Sequence, residues 1–514
     1  MFTAVLVACF TSFALLVYLF LWTRPKDLPL PPGPRKLPII GNLLCMPSSV
    51  EWETYHEWSK FFVSDIIHFT VAGTSILVLD TAEAAFVLLE RRSSIYSSRA
   101  RMPMLTVLTG YYYAIGFMYY GYRWREHRRL IHQSFHPTAA KLFHPKLLYA
   151  THGLLRRILL RPDMYFSDHL PYLSGETIVS IAYGIVVLPE NDPYIMASEK
   201  GMQPVRAAGV PGAFLVDTFP LLKYVPEWMP FAGFYRKAKE WKEIAHQMVD
   251  VPFNAAMRNI ENGGFTPSFV SRSLVHMYVS QDLQHQEDII KSVAGTMYTA
   301  GSDTTTSAIA SCILGFLANP EALYKAQQEI DAVLHPGQLP SFQDQESLPY
   351  VAAVVYETLR WKEVTPIGIP HLLVADDVYK GYRLPAGSIV IPNAWAMLHY
   401  ETVYSVPFTF YPVRFVYDVQ LYPDVWDPTH AAFGFGRRIC PGRYMAYVAV
   451  WIAIASLVAA FVITKGVDED GNIIVPTYVY FTGLVCQPLP FKCQIYPRSK
   501  AAEALFRSTA TLVY

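Results

Sequence analysis

The sequence has no excess of charge of either sign. Lysine and arginine total 42 and aspartate and glutamate total 42, so the 514-residue chain has a formal net charge of zero. Proteins that bind nucleic acid rely on clustered positive charge to hold phosphates, and this chain has no long basic run. We therefore expect no nucleic-acid partner. Charged residues make up only 16% of the chain and hydrophobic residues 52%, a balance that excludes an intrinsically disordered protein.

Cysteine is also scarce. Six cysteines are too few to build a disulfide scaffold for a chain of this length, so we expect a reduced, cytosol-facing body. From about residue 50 onward there is no Ser/Gly linker, internal repeat or low-complexity tract. Residues 50–514 are therefore predicted to form one compact domain, although length alone is also compatible with about three domains.

The N-terminal residues 1–23 contain no charged side chain. At about 1.5 Å per helical residue this apolar run can cross about 30 Å of hydrocarbon, and we predict a transmembrane anchor. A cleaved signal peptide is the alternative, but no charged region precedes the run and no A-x-A site follows it. Arg24 and Lys26 come next, which by the positive-inside rule keeps the body in the cytosol. Residues 24–49 contain a dense group of prolines that favours a stiff, extended spacer: Pro29, Pro31, Pro32, Pro34 and Pro38.

The body is predicted to be mostly α with a minor β part. Helical patterns cover residues 124–133, 287–317 and 320–334, and strand-like pieces occur at 75–79 and within 378–391. A second uncharged run, residues 445–464, is about as long as a membrane span. Because it follows a cluster of glycine, arginine and cysteine, we interpret it as a helix buried on all sides in a large core.

The densest motif is FGFGRRICPG at residues 433–442, which directly precedes that apolar helix. A cysteine just before a helix N-terminus has backbone N–H groups and the positive end of the helix dipole available to stabilise a thiolate, and Arg437 and Arg438 add positive charge. The glycines let the backbone approach a flat prosthetic group closely. Cys440 is therefore a candidate metal ligand, and the alternative is a glycine-rich turn that holds an inert buried cysteine.

This motif resembles the heme-binding signature of the cytochrome P450 superfamily of heme-thiolate monooxygenases. The resemblance implies a mainly α cytochrome P450 fold, a single large heme-enclosing domain behind the N-terminal helix. It also implies that Cys440 is the axial ligand of the iron of heme b, with Phe433 and Gly434 in the cofactor loop. The segment GYRWREHRRLIHQSFHP at residues 121–137 is most similar to fungal, membrane-bound members.

The segment AGSDTT at residues 300–305 lies in the middle of the long helical pattern. Ala300 and Thr304 share a helix face, and the Thr304 hydroxyl can bond to the carbonyl near residue 300. The resemblance implies that Thr304 and Asp303 are catalytic and deliver protons during dioxygen activation. A small-residue packing face is the alternative.

Three further residues are implied to bind the heme propionates. Trp124 and Arg128 lie four residues apart on one predicted helix face, and Arg438 comes two residues before the cysteine. His371 in the segment GIPH is a fourth candidate, whose alternative is an ordinary hydrogen-bonded histidine. The family often has arginine after this histidine, where this chain has Leu372.

Glu357 and Arg360 are placed at i and i+3 in an otherwise apolar segment, VAAVVYETLRW. The family pattern adds a second arginine, matched by Arg414 in the segment PVRF. The resemblance implies that the three groups form a buried, structural charge network. The commoner form of this segment has glutamate where Val413 stands.

Aromatic residues crowd the segment LTGYYYAIGFMYYGY at residues 108–122. We predict that some of these rings, together with Tyr298 and residues 367–369, contact a lipophilic substrate, and ordinary core packing is the alternative. An apolar cluster at residues 228–234 is predicted either to dip into the bilayer or to pack against the body.

The resemblance also implies partners and a location. Dioxygen is the co-substrate, and NADPH is used indirectly, since the sequence has no G-x-G-x-x-G fingerprint after a strand. NADPH–cytochrome P450 reductase is the implied electron donor, with cytochrome b5 as a second candidate, and Lys141, Arg437 and Arg443 are candidate docking residues. The implied location is the endoplasmic reticulum membrane, and the implied substrates are lipophilic small molecules of secondary or xenobiotic metabolism. Two alternatives stay open: a heme-thiolate isomerase or dehydratase that needs no reductase, and a non-catalytic heme protein.

Replacing Cys440 by alanine tests the motif directly. Because alanine has no sulfur ligand to offer, we expect Cys440→Ala to abolish the carbon monoxide difference band typical of thiolate-bound heme. Cys493→Ala, which changes a cysteine outside the motif, is expected to keep the band. Difference spectra of the two reduced, purified variants check this, and an intact band in Cys440→Ala would refute the ligand assignment.

Overall fold

Helices carry most of the chain, because apolar residues recur at helical spacing in one segment after another. The computed structural model describes residues 28–210, 212–229, 232–278, 282–335, 337–418 and 420–512. Within these residues the α-helices are α1 (Glu51–Phe62), α2 (Ala82–Ala85), α3 (Ser93–Tyr96), α4 (Tyr122–Phe135), α5 (Pro137–Ala140), α6 (His144–Leu160), α7 (Phe166–Tyr183), α8 (Pro193–Ala208), α9 (Leu215–Thr218), α10 (Gly233–Glu261), α11 (Phe269–Val275), α12 (Leu283–Ala318), α13 (Pro320–Val333), α14 (Pro349–Trp361), α15 (Ala394–Leu398), α16 (Thr429–Ala432), α17 (Arg443–Ala460) and α18 (Lys500–Ser508).

The strands are two to six residues long and form one five-stranded and four two-stranded sheets within the described residues. They are β1 (Ile66–Val71), β2 (Thr74–Leu79), β3 (Ser98–Arg99), β4 (His371–Leu372), β5 (Asp377–Tyr379), β6 (Tyr382–Leu384), β7 (Ile389–Pro392), β8 (Val416–Tyr417), β9 (Gln420–Leu421), β10 (Phe461–Lys465), β11 (Tyr480–Phe481), β12 (Gln487–Pro488) and β13 (Cys493–Pro497). Single turns of tighter or wider helix include Tyr111–Tyr113, Pro412–Phe415 and Gly436–Arg438. The predicted α-rich fold with a minor β part is confirmed.

The largest sheet has five strands in the order β1-β2-β7-β4-β3. β2 pairs with β7 in parallel, although more than 300 residues separate them in sequence, and the other pairs are antiparallel. In the outermost pair, β3 with β4, Arg99 lies directly opposite His371. This register brings an arginine from the first quarter of the chain beside a predicted site residue.

The helix α12 runs through the middle of the molecule and packs against α7, α14 and α17. Most of its second half is buried, because apolar residues continue around the whole helix after Ser307. It confirms the helix predicted at 287–317, and α4, α13 and β2 confirm the other predicted elements within two residues at each end.

The apolar run at 445–464 forms a helix, as predicted, but with different limits. α17 begins at Arg443 and ends at Ala460, and the last residues of the run belong to β10, which pairs with β13. The prediction that the run is buried on all sides holds only in part, because residues 445–448 are half-buried. From Ala449 onward it lies in the core, around the fully buried Trp451. Length and apolarity alone would also allow this helix to cross a membrane.

The described part of the proline-rich segment packs along the edge of the sheet. The backbone N–H of His68 donates to the Pro32 carbonyl at 2.9 Å, and that of Arg383 donates to the Pro29 carbonyl at 2.8 Å. The buried Asn42 side chain bridges the carbonyl of Pro34, at 3.0 Å, and the N–H of Thr70, also at 3.0 Å. The segment therefore contributes to the folded body. The anchor predicted at residues 1–23 lies outside the described residues.

A charge network joins α14 to the chain that follows α15. Glu357 and Arg360, both with fully buried side chains, are bonded through two contacts of 2.8 Å, and Arg414 Nε reaches Glu357 at 3.1 Å. The Tyr411 N–H donates to the same carboxylate at 2.7 Å. The network forms although Val413 stands where the family commonly has glutamate. Val413 packs against the core, and Glu357 supplies the carboxylate.

Candidate functional site

The cysteine motif forms a tight loop between α16 and α17. Gly434 and Gly436 both have positive φ, at 75° and 55°, a region in which a side chain is strained. At Gly436 a Cβ atom would also collide with the Leu89 carbonyl. The loop closes through the Cys440 N–H, which donates to the Phe433 carbonyl at 2.8 Å. The glycines therefore hold Cys440 just before the N-terminus of α17, as predicted.

Burial raises the pKa of the Cys440 thiol. Three groups act in the opposite direction: the Gly442 N–H, through a hydrogen bond, and the positive charges of Arg128 and Arg443. The expectation that Arg437 and Arg438 supply this positive charge is wrong, because Arg437 is exposed and donates to the Tyr120 hydroxyl instead. A bound cation at the sulfur would favour the thiolate further.

Trp124, Arg128 and Arg438 come together, as predicted. The guanidinium carbon of Arg438 lies 4.6 Å from the centre of the Trp124 ring, and that of Arg128 lies 6.0 Å from it. Arg128 also donates to the Ile439 carbonyl at 2.7 Å, next to Cys440. α4 therefore delivers an indole and a guanidinium to the cysteine loop.

The buried Arg438 is held by backbone oxygens. Its guanidinium donates to the carbonyls of Ser97 at 2.6 Å, Met118 at 2.7 Å and Ile115 at 3.2 Å. Burial, with a smaller effect of Arg128, lowers the pKa of Arg438 to about 9.

His371 joins the same cluster and brings with it Arg99, which the sequence analysis missed. The ring Nδ1 of His371 bonds to the Tyr96 carbonyl at 2.8 Å, and burial together with Arg99 and Arg438 holds its pKa well below the usual range. Arg99 is 3% exposed and donates to the carbonyls of Ile369 at 2.6 Å and Gly116 at 2.8 Å. Nothing in the sequence distinguishes this arginine from its exposed neighbour Arg101.

The cluster carries positive charge without a counter-charge. Burial and the charge of Arg438 lower the pKa of Arg99, and the charge of Arg128 adds to the burial of Arg438. Among the described residues, no aspartate or glutamate forms an ion pair with any of these three arginines. Buried charges are ordinarily paired. A group with two negative charges that accepts hydrogen bonds from these arginines fits this arrangement. The two propionates of a heme are such a group.

The middle of α12 has one accessible face. Ala300 is exposed, although the residues around it on the helix, such as Thr299 and Ser302, are buried. The Thr304 hydroxyl donates to the Ala300 carbonyl at 2.9 Å, as predicted. The small side chain of Ala300 and the hydroxyl of Thr304 thus border the same opening. Gly301 points elsewhere: a Cβ atom there would lie 2.9 Å from the side chain of Ile178 on α7.

Asp303 points toward α8, where it meets a second residue that the sequence analysis missed. Arg206 Nη2 lies 2.5 Å from Asp303 Oδ2, and the aspartate side chain is 9% exposed. Burial raises the pKa of Asp303, and the charge and hydrogen bond of Arg206 oppose the shift. The partner could not be found from sequence, because the contact depends on how α8 crosses α12.

The aromatic residues that were predicted to contact substrate fall into two groups. Tyr111 and Tyr298 are fully buried, and their hydroxyls donate to the Gly201 and Tyr194 carbonyls of α8, which is the core packing given above as the alternative. Tyr112 and Tyr119 are 55% and 53% exposed. Of the cluster at 228–234, Trp228 is 81% exposed, and residues 230 and 231 lie outside the described residues.

A cavity of about 980 Å³ opens beside the cysteine loop and is lined by Phe433, Ile439 and Arg443. Two candidate docking residues, Lys141 and Arg443, are part of its wall, whereas the wall also carries acidic groups. The charged lining is therefore mixed: Lys141 and Arg443 against Glu83, Glu90 and Asp427.

Comparison with known proteins places this geometry in a family. A family model described as Cytochrome P450 matches residues 31–495. Cytochrome P450 monooxygenase 98 of Postia placenta is 48% identical over 505 residues, covering 98% of this chain and 97% of the relative. Cytochrome P450 monooxygenase ple1 of Rhodocybe pseudopiperita is 42% identical, covering 94% and 92%. Tryptamine 4-monooxygenase of Psilocybe cyanescens is 40% identical, covering 92% and 93%.

The ion pair between Arg206 and Asp303 predicts a pH-dependent stability. Arg206→Leu removes the group that lowers the pKa of Asp303, so this pKa rises further above its unfolded value. The folded state then binds the proton more tightly than the unfolded state, and the loss of stability grows as pH rises through the raised pKa. At about pH 8 we expect a loss of about 2–3 kcal/mol, reduced from the cost of breaking a fully buried pair because Arg206 is 36% exposed.

Chemical denaturation at about pH 5 and about pH 8 measures the effect. Adding Asp303→Asn to Arg206→Leu is expected to recover most of the loss at the higher pH. The matched control is Arg161→Leu, whose partner Glu190 is 64% exposed, and it should cost at most about 1 kcal/mol at either pH. A loss in Arg206→Leu that is equal at both pH values would contradict the prediction.

Proposed function

Because the chain belongs to the cytochrome P450 family, we propose that it is a heme-thiolate monooxygenase that inserts one atom of dioxygen into a lipophilic small molecule. Electrons come from NADPH through NADPH–cytochrome P450 reductase. The observation that carries the proposal is the buried, uncompensated cluster of arginines beside Cys440, because it demands an anionic group of the kind that heme provides.

We assign the cofactor-holding residues from their donors. Arg128 and Arg438 flank Trp124 and are bonded to the cysteine loop and the segment at 97–118, so their remaining N–H groups are available to propionates. Arg99 is bonded through Nε and Nη1 only, which leaves Nη2 for the same purpose. The lowered pKa keeps the His371 ring neutral, and the bond to the Tyr96 carbonyl fixes its orientation. Its other ring nitrogen can then form a hydrogen bond with the cofactor.

When bound, heme supplies the activation of dioxygen, and its thiolate ligand donates electron density that favours cleavage of the O–O bond. In this chain Cys440 would supply that thiolate. The Gly442 N–H and the charges of Arg128 and Arg443 favour its deprotonated form against the effect of burial.

The residues that we propose to move protons lie on α12. The Thr304 hydroxyl, oriented by the Ala300 carbonyl, borders the opening and can donate a hydrogen bond to water or to a substrate there. Asp303 has a raised pKa, which brings it closer to neutrality and suits a group that gains and loses a proton. Its bond to Arg206 has to open before the carboxyl can turn toward Thr304, so a movement of α8 would control the supply.

Exposed apolar side chains support both a lipophilic substrate and a membrane location. Residues between α9 and α10 expose large apolar side chains, with Trp228 at 81%, Leu221 at 79% and Tyr224 at 72%. Exposed apolar patches of this kind mark contacts with membranes or partners. We propose that the chain is held at the endoplasmic reticulum membrane by its N-terminal segment and by this patch. One relative is named a tryptamine 4-monooxygenase, which adds indole amines to the substrate classes worth testing.

Arg99 provides a test of the cofactor assignment. Arg99→Met removes one donor to the propionates while it keeps a side chain of similar length, so heme should leave faster. Losing a hydrogen bond to a charged group costs about 2 kcal/mol, which corresponds to about a 30-fold faster transfer of heme to excess apomyoglobin. Arg101→Met, which changes the exposed arginine two residues away, is expected to transfer heme at the wild-type rate. Equal rates in the two variants would remove Arg99 from the site.

The proposed reaction is tested on the purified, membrane-reconstituted full chain with the reductase. Spectral titration against terpenoids, steroids, fatty acids and indole amines identifies compounds that bind at the heme. A compound that binds should then gain one oxygen atom from ¹⁸O₂, in a reaction that needs both NADPH and the reductase. Thr304→Ala should lower product formed per NADPH oxidised by about a hundredfold, the lower range for a positioned proton-transferring group, without abolishing NADPH oxidation. Turnover without NADPH or reductase would favour the isomerase alternative.

A further inference from the structure

A small cavity lies on the side of α12 that faces away from α8. It has a volume of about 20 Å³ and is enclosed by four helices: α6, α7, α12 and α17. Its wall is part apolar and part hydroxylic, with a threonine contributed by three of the four helices: Thr151 from α6, Thr177 from α7 and Thr305 from α12. Thr151 and Thr177 are 1% and 8% exposed.

The hydroxyls of these three threonines have no hydrogen-bond partner among the described residues, which is unusual in this region. Around them, hydroxyls on α12 bond regularly to the carbonyl four residues earlier, as Ser302 does to Tyr298 at 2.6 Å and Thr306 to Ser302 at 3.2 Å. Thr305 lies between Thr304 and Thr306, which both follow this pattern, but does not follow it. Buried hydroxyls are ordinarily satisfied by protein or by ordered water.

The volume matches one water molecule, which needs at least about 10–15 Å³ and typically makes about three hydrogen bonds to buried polar groups. We propose that the cavity binds a single ordered water molecule, held by the hydroxyls of Thr305, Thr151 and Thr177. The chemistry of the wall selects water over an apolar gas, because the hydroxyls of its three threonines would otherwise stay unpaired.

The position gives this water a structural consequence. Ser174, in the same wall, already ties α7 to α12 by donating to the Ser302 carbonyl at 2.6 Å and bonding to the Thr306 hydroxyl at 2.9 Å. A water bonded to Thr305 adds a second tie within the same turn, between Ser302 and Thr306. The Ser174 contacts and the water together fix the rotation of α12 about its axis. They thereby fix the direction in which Thr304, the residue before Thr305, points.

The direct test is a high-resolution crystal structure of the heme-loaded full chain. We expect density for one water within hydrogen-bond distance of Thr305 and of at least one of the other two threonines. Under xenon pressure the cavity should keep its water and take up no xenon. A dry cavity, or a xenon atom in place of the water, would overturn the proposal.

Three variants test the consequence without requiring turnover. Thr305→Val removes the hydroxyl at nearly constant shape, Ala449→Val fills the cavity from α17 and leaves the threonines intact, and Thr305→Ser keeps the hydroxyl. Amide hydrogen exchange over residues 300–306 is expected to rise about tenfold in the two valine variants and to stay at the wild-type rate in the serine variant. An unchanged carbon monoxide difference band shows that each variant is folded around its heme.

Wild-type exchange in both valine variants would refute the positioning role, and a rise in the serine variant as large as that in Thr305→Val would assign the effect to the methyl group instead. Since neither crystallography nor exchange depends on substrate, failure of the monooxygenase proposal would leave these results standing.

Discussion

The structure depends on a group of positive charges that it cannot neutralise by itself. Arg99 and Arg438 are buried and Arg128 is half-buried within one region, and all three are bonded chiefly to backbone carbonyls. These bonds also tie together three distant segments: the chain around residue 116, the strand β4 with the residues before it, and the cysteine loop. Because like charges repel and buried charges are costly, such a junction is favourable only with an anion at its centre. The packing of these three segments around the site is therefore energetically coupled to the binding of an anionic cofactor.

The network around Glu357 shows the opposite design. There two arginines share one carboxylate, and a backbone N–H completes its coordination, so its polar groups satisfy one another. Every guanidinium nitrogen of Arg360 and Arg414 is bonded to a carboxylate or backbone oxygen of the protein, which agrees with a structural role. The comparison of the two clusters separates residues that hold the fold from residues that would bind a cofactor, although both clusters are built on arginines of the same domain.

Local pattern predicted the elements well, and it predicted which motif residues meet. The helices α4 and α12 and the loop at Cys440 follow from spacing, glycine positions and proline, which act within a few residues. Arg99 and Arg206 could not be found in this way, because their burial results from the pairing of β3 with β4 and from the crossing of α8 over α12. The position at which α17 ends could not be predicted for the same reason, because it depends on a distant strand. Its apolar run continues past Ala460, but pairing with Cys493–Pro497 converts the last residues into a strand.

Three consecutive residues of α12 serve three different surroundings, since each step along a helix turns the side chain by about 100°. Asp303 faces Arg206 on α8, Thr304 faces the opening beside Ala300, and Thr305 faces the cavity between α6, α7 and α17. Each direction is useful only if the helix keeps its rotation to within a fraction of that angle. Gly301 contributes by allowing the Ile178 side chain of α7 to pack closely, because a Cβ atom there would lie 2.9 Å from it and force it to shift. The density of small and polar residues in this turn is thus explained by three neighbours that must be satisfied at once, and a change at one of them acts on the other two through the rotation of the helix.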